Sequence, residues 1–277
     1  MAAPQAAERP HLEVVGGDES TLERLAGAAL TQPDLAGLVP FWTGICRVQL
    51  AGRAALGPPP LWTVRRDRLQ AGKPQLELAD LPLAPEALGQ LAGRLAHVWS
   101  EHDPTRAQDG EADWLALAHQ AFSDPTLWHG QRRELAFAES VAALALAPYL
   151  EWAAAGIVPA LEGEWTAWGR GTCPVCGGLP DLAVLVGDPA ARSLVCGRCS
   201  TGWPHGRVGC PFCGDVERQA YHPSDDGRYR LYLCPACRRY LKTVDANRLG
   251  GVVDPRVERL VTIGMDLAAL EAGYGPQ

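Results

Sequence analysis

Eight of the nine cysteines fall between positions 173 and 237 as four Cys-x-x-Cys pairs: Cys173-Pro-Val-Cys176-Gly, Cys196-Gly-Arg-Cys199-Ser, Cys210-Pro-Phe-Cys213-Gly and Cys234-Pro-Ala-Cys237-Arg. A tight turn of this kind aims two sulfurs at one point. Two such turns on neighbouring hairpins complete a tetrahedron of thiolates, the donor set that Zn²⁺ and rubredoxin-type iron both accept. Between the first two pairs lie 19 residues and between the last two lie 20, against ten in the middle. Pairs one and three share Cys-Pro-x-Cys-Gly, while two and four lack that glycine, so the segment reads as one module written twice. The expectation is two metal ions per chain, iron or zinc. Cys173, Cys176, Cys196 and Cys199 would hold one, and Cys210, Cys213, Cys234 and Cys237 the other.

Coordination would also explain how this segment stays folded. The stretch from Cys173 to Cys199 is too short to bury a self-sufficient core, and structural thiolate sites supply about 10–16 kcal/mol of apparent binding energy. Rival chemistries fit the spacing less well. A redox dithiol usually needs one pair at a helix start in a thioredoxin-like context, and iron–sulfur clusters prefer closely spaced triplets. A zinc ribbon that binds nucleic acid is the alternative of a different class. Yet residues 173–240 hold eight Arg, no Lys and six acidic residues, and thiolate centres add further negative charge, so no basic face is evident. A thiol or redox protein is the third reading. No nucleophile elbow, P-loop, H-E-x-x-H or dinucleotide fingerprint appears, so no catalytic residue and no enzyme activity is expected.

Other residues carry weaker signals. Trp203-Pro-His205-Gly-Arg207 joins the two modules, and an exposed Trp203 with Arg207 would make a partner-binding anchor. Packing of Trp203 between two small ribbons is the competing expectation. His97, His102, His119, His129 and His222 lack a repeating ligand spacing and read as surface or hydrogen-bonded side chains. Cys46 reads as a small buried hydrophobe, and Arg65, Arg66 and Arg68 as a solvated turn.

The elements that must position these cysteines divide near Gly169-Arg170-Gly171, because eight of the nine Trp lie before that point and all paired cysteines after it. Ser20 with Glu23 has the form of a capping box opening a first helix, and Pro40 suits the first turn of a second. Pro85 begins a third, with Leu88, Leu91, Leu95 and Val98 on one face; Trp114, Leu117 and Ala121 mark a fourth. An Ala-rich fifth is expected over Glu134–Ala153, kinked at Pro148. Short strands are expected at Leu182–Val186, Ser193–Val195, Tyr229–Leu233 and Tyr240–Val244. Asp254 then caps a last helix with Pro255 at its first position, running to about Ala272 with Leu260, Ile263, Leu267 and Leu270 on one face. The fold class expected is α+β. A helical bundle over 1–168 precedes two small rubredoxin-like or zinc-ribbon-like metal modules, 169–205 and 206–248, and a C-terminal helix within 249–277.

Composition sets outer limits. The chain has 277 residues, 47% of them hydrophobic, enough for a packed core, and its formal charge of −7 argues against coating nucleic acid or an anionic membrane. The longest apolar stretch, Val141 to Ala147, falls far short of the roughly 20 residues of a membrane span. Met1 to Pro10 lacks a basic start and an apolar core, so no export signal is expected and the protein is placed in the cytoplasm.

The block from Cys173-Pro-Val-Cys176-Gly through Trp203, Arg207, Cys210, Cys213, Cys234, Cys237 and Tyr240-Leu-Lys242 resembles the formate dehydrogenase accessory protein FdhE family. The helical first region and the last helix, ending Glu271-Ala-Gly-Tyr274, fit the same family. The resemblance implies a cytoplasmic maturation factor that binds the catalytic subunit of formate dehydrogenase, a molybdenum or tungsten enzyme, before export. It also implies rubredoxin-like iron centres with the eight thiolates as ligands rather than nucleophiles. A homodimer is compatible with the sequence.

Overall fold

A computed structural model describes residues 19–105, 112–124, 137–165, 168–187, 190–217, 219–250 and 252–275. His129, the expected helix start at Glu134 and the first ten residues lie outside these. The architecture is α+β: a helical first part, a six-stranded sheet and a C-terminal helical segment.

The helical part comprises α1 (Glu19–Thr31), α2 (Val39–Ala55), the short α3 (Arg66–Gln70), α4 (Pro85–His102), α5 (Trp114–Ser123) and α6 (Phe137–Ala160). Ser20 lies inside α1 and receives the Arg24 guanidinium, so it is not the N-cap that its spacing to Glu23 predicts. Pro40 and Pro85 do occupy first turns, where a missing N–H costs nothing. Asp113 caps α5 by accepting from Ala116 N at 2.9 Å. Leu88, Leu91 and Leu95 of α4 are buried at helical spacing. The fifth expected helix runs further than its Ala-rich stretch, past Pro148 to Pro159 and Ala160. It is apolar all round because neighbours cover it: by length and composition α6 could cross a membrane, yet 72% of its most apolar window is buried in the core.

All six strands belong to one sheet, ordered β3-β2-β1-β6-β5-β4. They are β1 (Pro180–Val186), β2 (Ala191–Cys196), β3 (Gly202–His205), β4 (Ala220–Pro223), β5 (Tyr229–Cys234) and β6 (Arg239–Asp245). Each module is a three-stranded antiparallel unit, and the two meet where β1 pairs in parallel with β6, Leu182 opposite Lys242 and Val184 opposite Val244. The first strand of the first module therefore lies against the last strand of the second. The junction is head to tail, and β3 and β4 are left as the free edges.

After the short α7 (Ala246–Leu249), the C-terminal segment is two helices, α8 (Pro255–Val261) and α9 (Ile263–Glu271), rather than one. Asp254 caps α8, accepting from Arg256 N at 3.0 Å and from Thr21 Oγ1 at 2.7 Å. The break comes at Thr262, whose hydroxyl donates to the Glu258 carbonyl at 2.6 Å. It splits the expected stripe. Leu260 packs with Leu25, Leu35, Val39 and Cys46, whereas Ala269 packs on Leu231 and Leu233 of the sheet, and Leu267 is exposed. The segment thus straps the helical part to the second module, and Gly273, at φ +76°, ends it.

Candidate metal centres

Each Cys-x-x-Cys builds the same backbone knuckle. The residue after the second cysteine is left-handed in all four: Gly177 at φ +74°, Ser200 at +57°, Gly214 at +78° and Arg238 at +58°. Its N–H donates to the carbonyl of the first cysteine in every case: Gly177 to Cys173 at 2.9 Å, Ser200 to Cys196 at 3.0 Å, and Gly214 to Cys210 and Arg238 to Cys234 at 2.8 Å. Pairs two and four lack glycine there yet keep the turn. The knuckle is set by this hydrogen bond, and Ser200 and Arg238 bear a backbone strain that glycine avoids.

The knuckles bring the eight sulfurs into two sets, Cys173, Cys176, Cys196, Cys199 and Cys210, Cys213, Cys234, Cys237, each set lying within 4.8 Å of itself. In the first, Sγ separations are 3.6 Å for Cys173–Cys199, and 3.5 Å for Cys176–Cys196 and Cys176–Cys199. In the second, Cys210–Cys237 and Cys213–Cys234 are both 3.7 Å apart. A tetrahedron with metal–sulfur bonds of about 2.3 Å has edges of about 3.8 Å, whereas disulfide sulfurs stand about 2.05 Å apart. The spacing fits four ligands round an ion and no disulfide. The electrostatics point the same way. Hydrogen bonds from Cys173, Cys196 and Cys199 hold the Cys176 thiol well below its ordinary range, while burial pushes Cys173 and Cys199 well above it. In the second set the backbone N–H of Asp215 draws Cys213 down, and burial raises Cys210. Each set therefore contains one sulfur already driven toward the thiolate a metal requires.

The surroundings differ. All four sulfurs of the first set are buried, in a core continuous with Leu146, Leu150 and Leu161 of the helical part. The loop before α4 stitches itself to the first knuckle, Gln75 N donating to the Pro174 carbonyl at 2.9 Å and Leu76 N to Val175 at 2.8 Å. Of Arg65, Arg66 and Arg68, read as a solvated turn, Arg66 is exposed and pairs with Glu164 at the surface, while Arg65 and Arg68 brace that loop through Asp80 and Glu77. A methyl on Gly178 would stand 2.9 Å from Cys196 Sγ. The second set sits nearer solvent: Cys213 is exposed and Cys237 half-buried. Gly171 joins the two knuckle regions, since a methyl there would stand 1.8 Å from the Pro211 carbonyl oxygen.

Trp203 is in the core, 1% exposed, opposite Leu194 in the sheet, with its indole N–H donating to the Arg170 carbonyl at 3.0 Å. Its side chain is not offered to a partner, and the packing expectation describes it better than the exposed anchor does. Arg207 is exposed in the loop that follows. His97, His102, His119 and His222 are all exposed and belong to neither cluster. Cys46 is buried, burial pushing its thiol up, on the wall of a cavity of about 400 Å³ between α2, α6, the second knuckle and the C-terminal helices.

That cavity carries a feature the sequence did not reveal. Arg256 pairs with Glu151, Lys242 with Asp266 at 2.6 Å, and Arg259 with both oxygens of Asp181 at 2.6 and 3.1 Å while also donating to the Cys196 carbonyl at 2.9 Å. These pairs join α8 to α6, α9 to β6, and α8 to β1 and the first centre. Their partners lie 24 to 105 residues apart, and only the Asp254-Pro255 cap that fixes the start of α8 is a local signal.

No protein-family model matches the chain. It is similar to the FdhE homolog of Aquifex aeolicus, 32% identical over 117 residues, which is 40% of this chain and 41% of that one. With the FdhE homolog of Rhizobium meliloti it shares 25% identity over 253 residues, 87% of this chain and 81% of that one. The chain thus spans under half of the first relative and most of the second. The crystal structure of the FdhE protein from Pseudomonas aeruginosa has the same fold, with a TM-score of 0.61 at 22% identity over 97% of this chain and 96% of that one.

Proposed function

We propose that this chain, similar to FdhE homologs along most of its length and to an FdhE crystal structure in fold, is a non-enzymatic accessory protein of the cytoplasm that binds the catalytic subunit of formate dehydrogenase and assists its assembly or activation. One observation carries the reading: eight cysteines on four identical knuckles converge as two four-sulfur sets with the edge lengths of a tetrahedral thiolate site. In this reading Cys173, Cys176, Cys196 and Cys199 hold one ion and Cys210, Cys213, Cys234 and Cys237 a second. Bound iron would supply one-electron chemistry, and bound zinc a redox-inert staple.

The chain's own residues do the rest. The knuckle hydrogen bonds orient the sulfurs, and the loop at Gln75 and Leu76 closes the first set from water. The helical region 1–168 and the exposed Arg207 loop offer surface to the partner, the modules 169–205 and 206–248 carry the metal, and 249–277 straps the parts together. The test is metal analysis of anaerobically purified protein, with recovery of the formate dehydrogenase catalytic subunit on the tagged chain from formate-respiring cells. Two ions per chain and a retained subunit are expected. A metal-free folded protein would defeat the ligand assignment, and repeated failure to retain the subunit would defeat the maturation role.

A further inference from the structure

We propose that the two centres are kinetically unequal: the Cys173/Cys176/Cys196/Cys199 set is a sealed staple, and the Cys210/Cys213/Cys234/Cys237 set is open to ligand exchange with a donor entering from solvent at Cys213. This rests on the reading that each set holds an ion, and adds which of them is reachable.

Burial carries the argument. Exposures in the first set are 0, 3, 0 and 3%, and its sulfurs belong to the main hydrophobic core. The first knuckle is bonded to the loop at Gln75 and Leu76, and Arg259 grips the carbonyl of Cys196. A donor can reach these sulfurs only after that core opens, an event whose free energy approaches that of global unfolding. In the second set Cys210 and Cys234 are buried at 5 and 3%, but the other two sulfurs lack that cover, Cys237 being half-buried. Cys213 is exposed, and the chain flanking its knuckle exposes Val208 at 77% and Val216 at 62%. Exchange at a filled thiolate shell needs the entering donor to approach before the old ligand leaves. At Cys213 nothing must unfold first. With an ion held there, an entering donor would form its bond as the bond to Cys213 broke, and the released thiolate would take a proton from water, leaving hydroxide, with no electron changing hands.

The experiment uses the full chain loaded with two zinc ions and mixed with an excess of the chromogenic chelator 4-(2-pyridylazo)resorcinol. The expected trace has two phases of one ion each, their rates differing by about 100-fold or more. On the same protein, iodoacetamide labelling followed by mass spectrometry should modify Cys213 first and Cys173 and Cys176 last. The Cys213→Ser variant should lose the slow–fast pattern at the fast end only, keeping one slowly released ion. Two ions leaving at one rate, or Cys213 labelled no earlier than Cys173, would overturn the inequality while leaving the metal reading intact. A chain that takes up no zinc would overturn both. Because the wild-type rates and labelling order decide the matter, a variant that fails to fold does not.

Discussion

The knuckle backbones separate strain from collision residue by residue. Gly214 is left-handed with open space where a side chain would go, so Gly214→Ala meets only the cost of that conformation, about 1 kcal/mol. Gly177→Ala adds contact with Pro74 at 3.2 Å and should cost somewhat more. Gly171 has an ordinary φ, yet its methyl would collide with the Pro211 backbone, and Gly171→Ala should cost about 3 kcal/mol. Denaturant midpoints for the three variants should fall in that order; equal losses would contradict the geometry. Glu258 offers a second test. Burial raises its carboxyl to about 7 against the lowering pull of Tyr229, and among the described residues its Oε2 has no hydrogen-bond partner. A carboxyl raised above its unfolded value of 4.5 favours the folded state at low pH, and that contribution is lost as pH climbs from 4.5 through 7. The loss amounts to on the order of 3 kcal/mol, so Glu258→Gln should flatten the fall and be the more stable protein at pH 8. A parallel pair of stability–pH curves would refute this.

Between elements, the joint of α6 with α8 depends on a buried ion pair. Arg256 and Glu151 are both buried, Gln49 accepts from the guanidinium at 3.2 Å, and the neighbouring carboxylate keeps Arg256 charged. Arg53 also reaches Glu151 at 3.7 Å, so Arg256→Met leaves the carboxylate with a longer, partly exposed pair and should cost about 2–3 kcal/mol, while Arg256→Met with Glu151→Leu should recover most of it, read by chemical denaturation. If the double variant is no better than the single one, the pair is not what holds α8 in place. This joint also marks where sequence reasoning stopped. The helices opening at Pro40, Pro85 and Asp254 were legible because caps and first-turn prolines are local, and strands β1, β2, β5 and β6 because their short runs are apolar or alternating. The four-sulfur sets were legible from the spacing together with the alternating Cys-Pro-x-Cys-Gly repeat. Strand β4 was not, since all four of its residues are exposed and carry no burial pattern. The break at Thr262 was hidden for another reason: no proline interrupts the stripe from Leu260 to Leu270, and only packing against two different surfaces divides it. Trp203 was ambiguous because a tryptophan in a linker suits a core and an interface equally.

For the molecule as a whole, the head-to-tail seam raises the question of why the sheet stops at six strands. The edges left bare, β3 and β4, are the counterparts of the two strands that already pair at the β1–β6 seam, so another copy could in principle continue the pattern. Each bare edge contains a proline, Pro204 in β3 and Pro223 in β4, and proline has no N–H to give an added strand. Replacing both with Thr should produce association beyond the native state that grows with concentration, measured by sedimentation velocity. An unchanged sedimentation profile would show that other features guard the edges. The seam has a further consequence for a chain still leaving the ribosome. Strand β1 is finished at Val186 but its parallel neighbour is not complete until Asp245. At about 5–20 residues per second, synthesis leaves that border uncovered for several seconds. The first four sulfurs can all meet once Cys199 has emerged, so the nascent polypeptide passes through an interval in which one centre can close while the strand beside it waits for its mate.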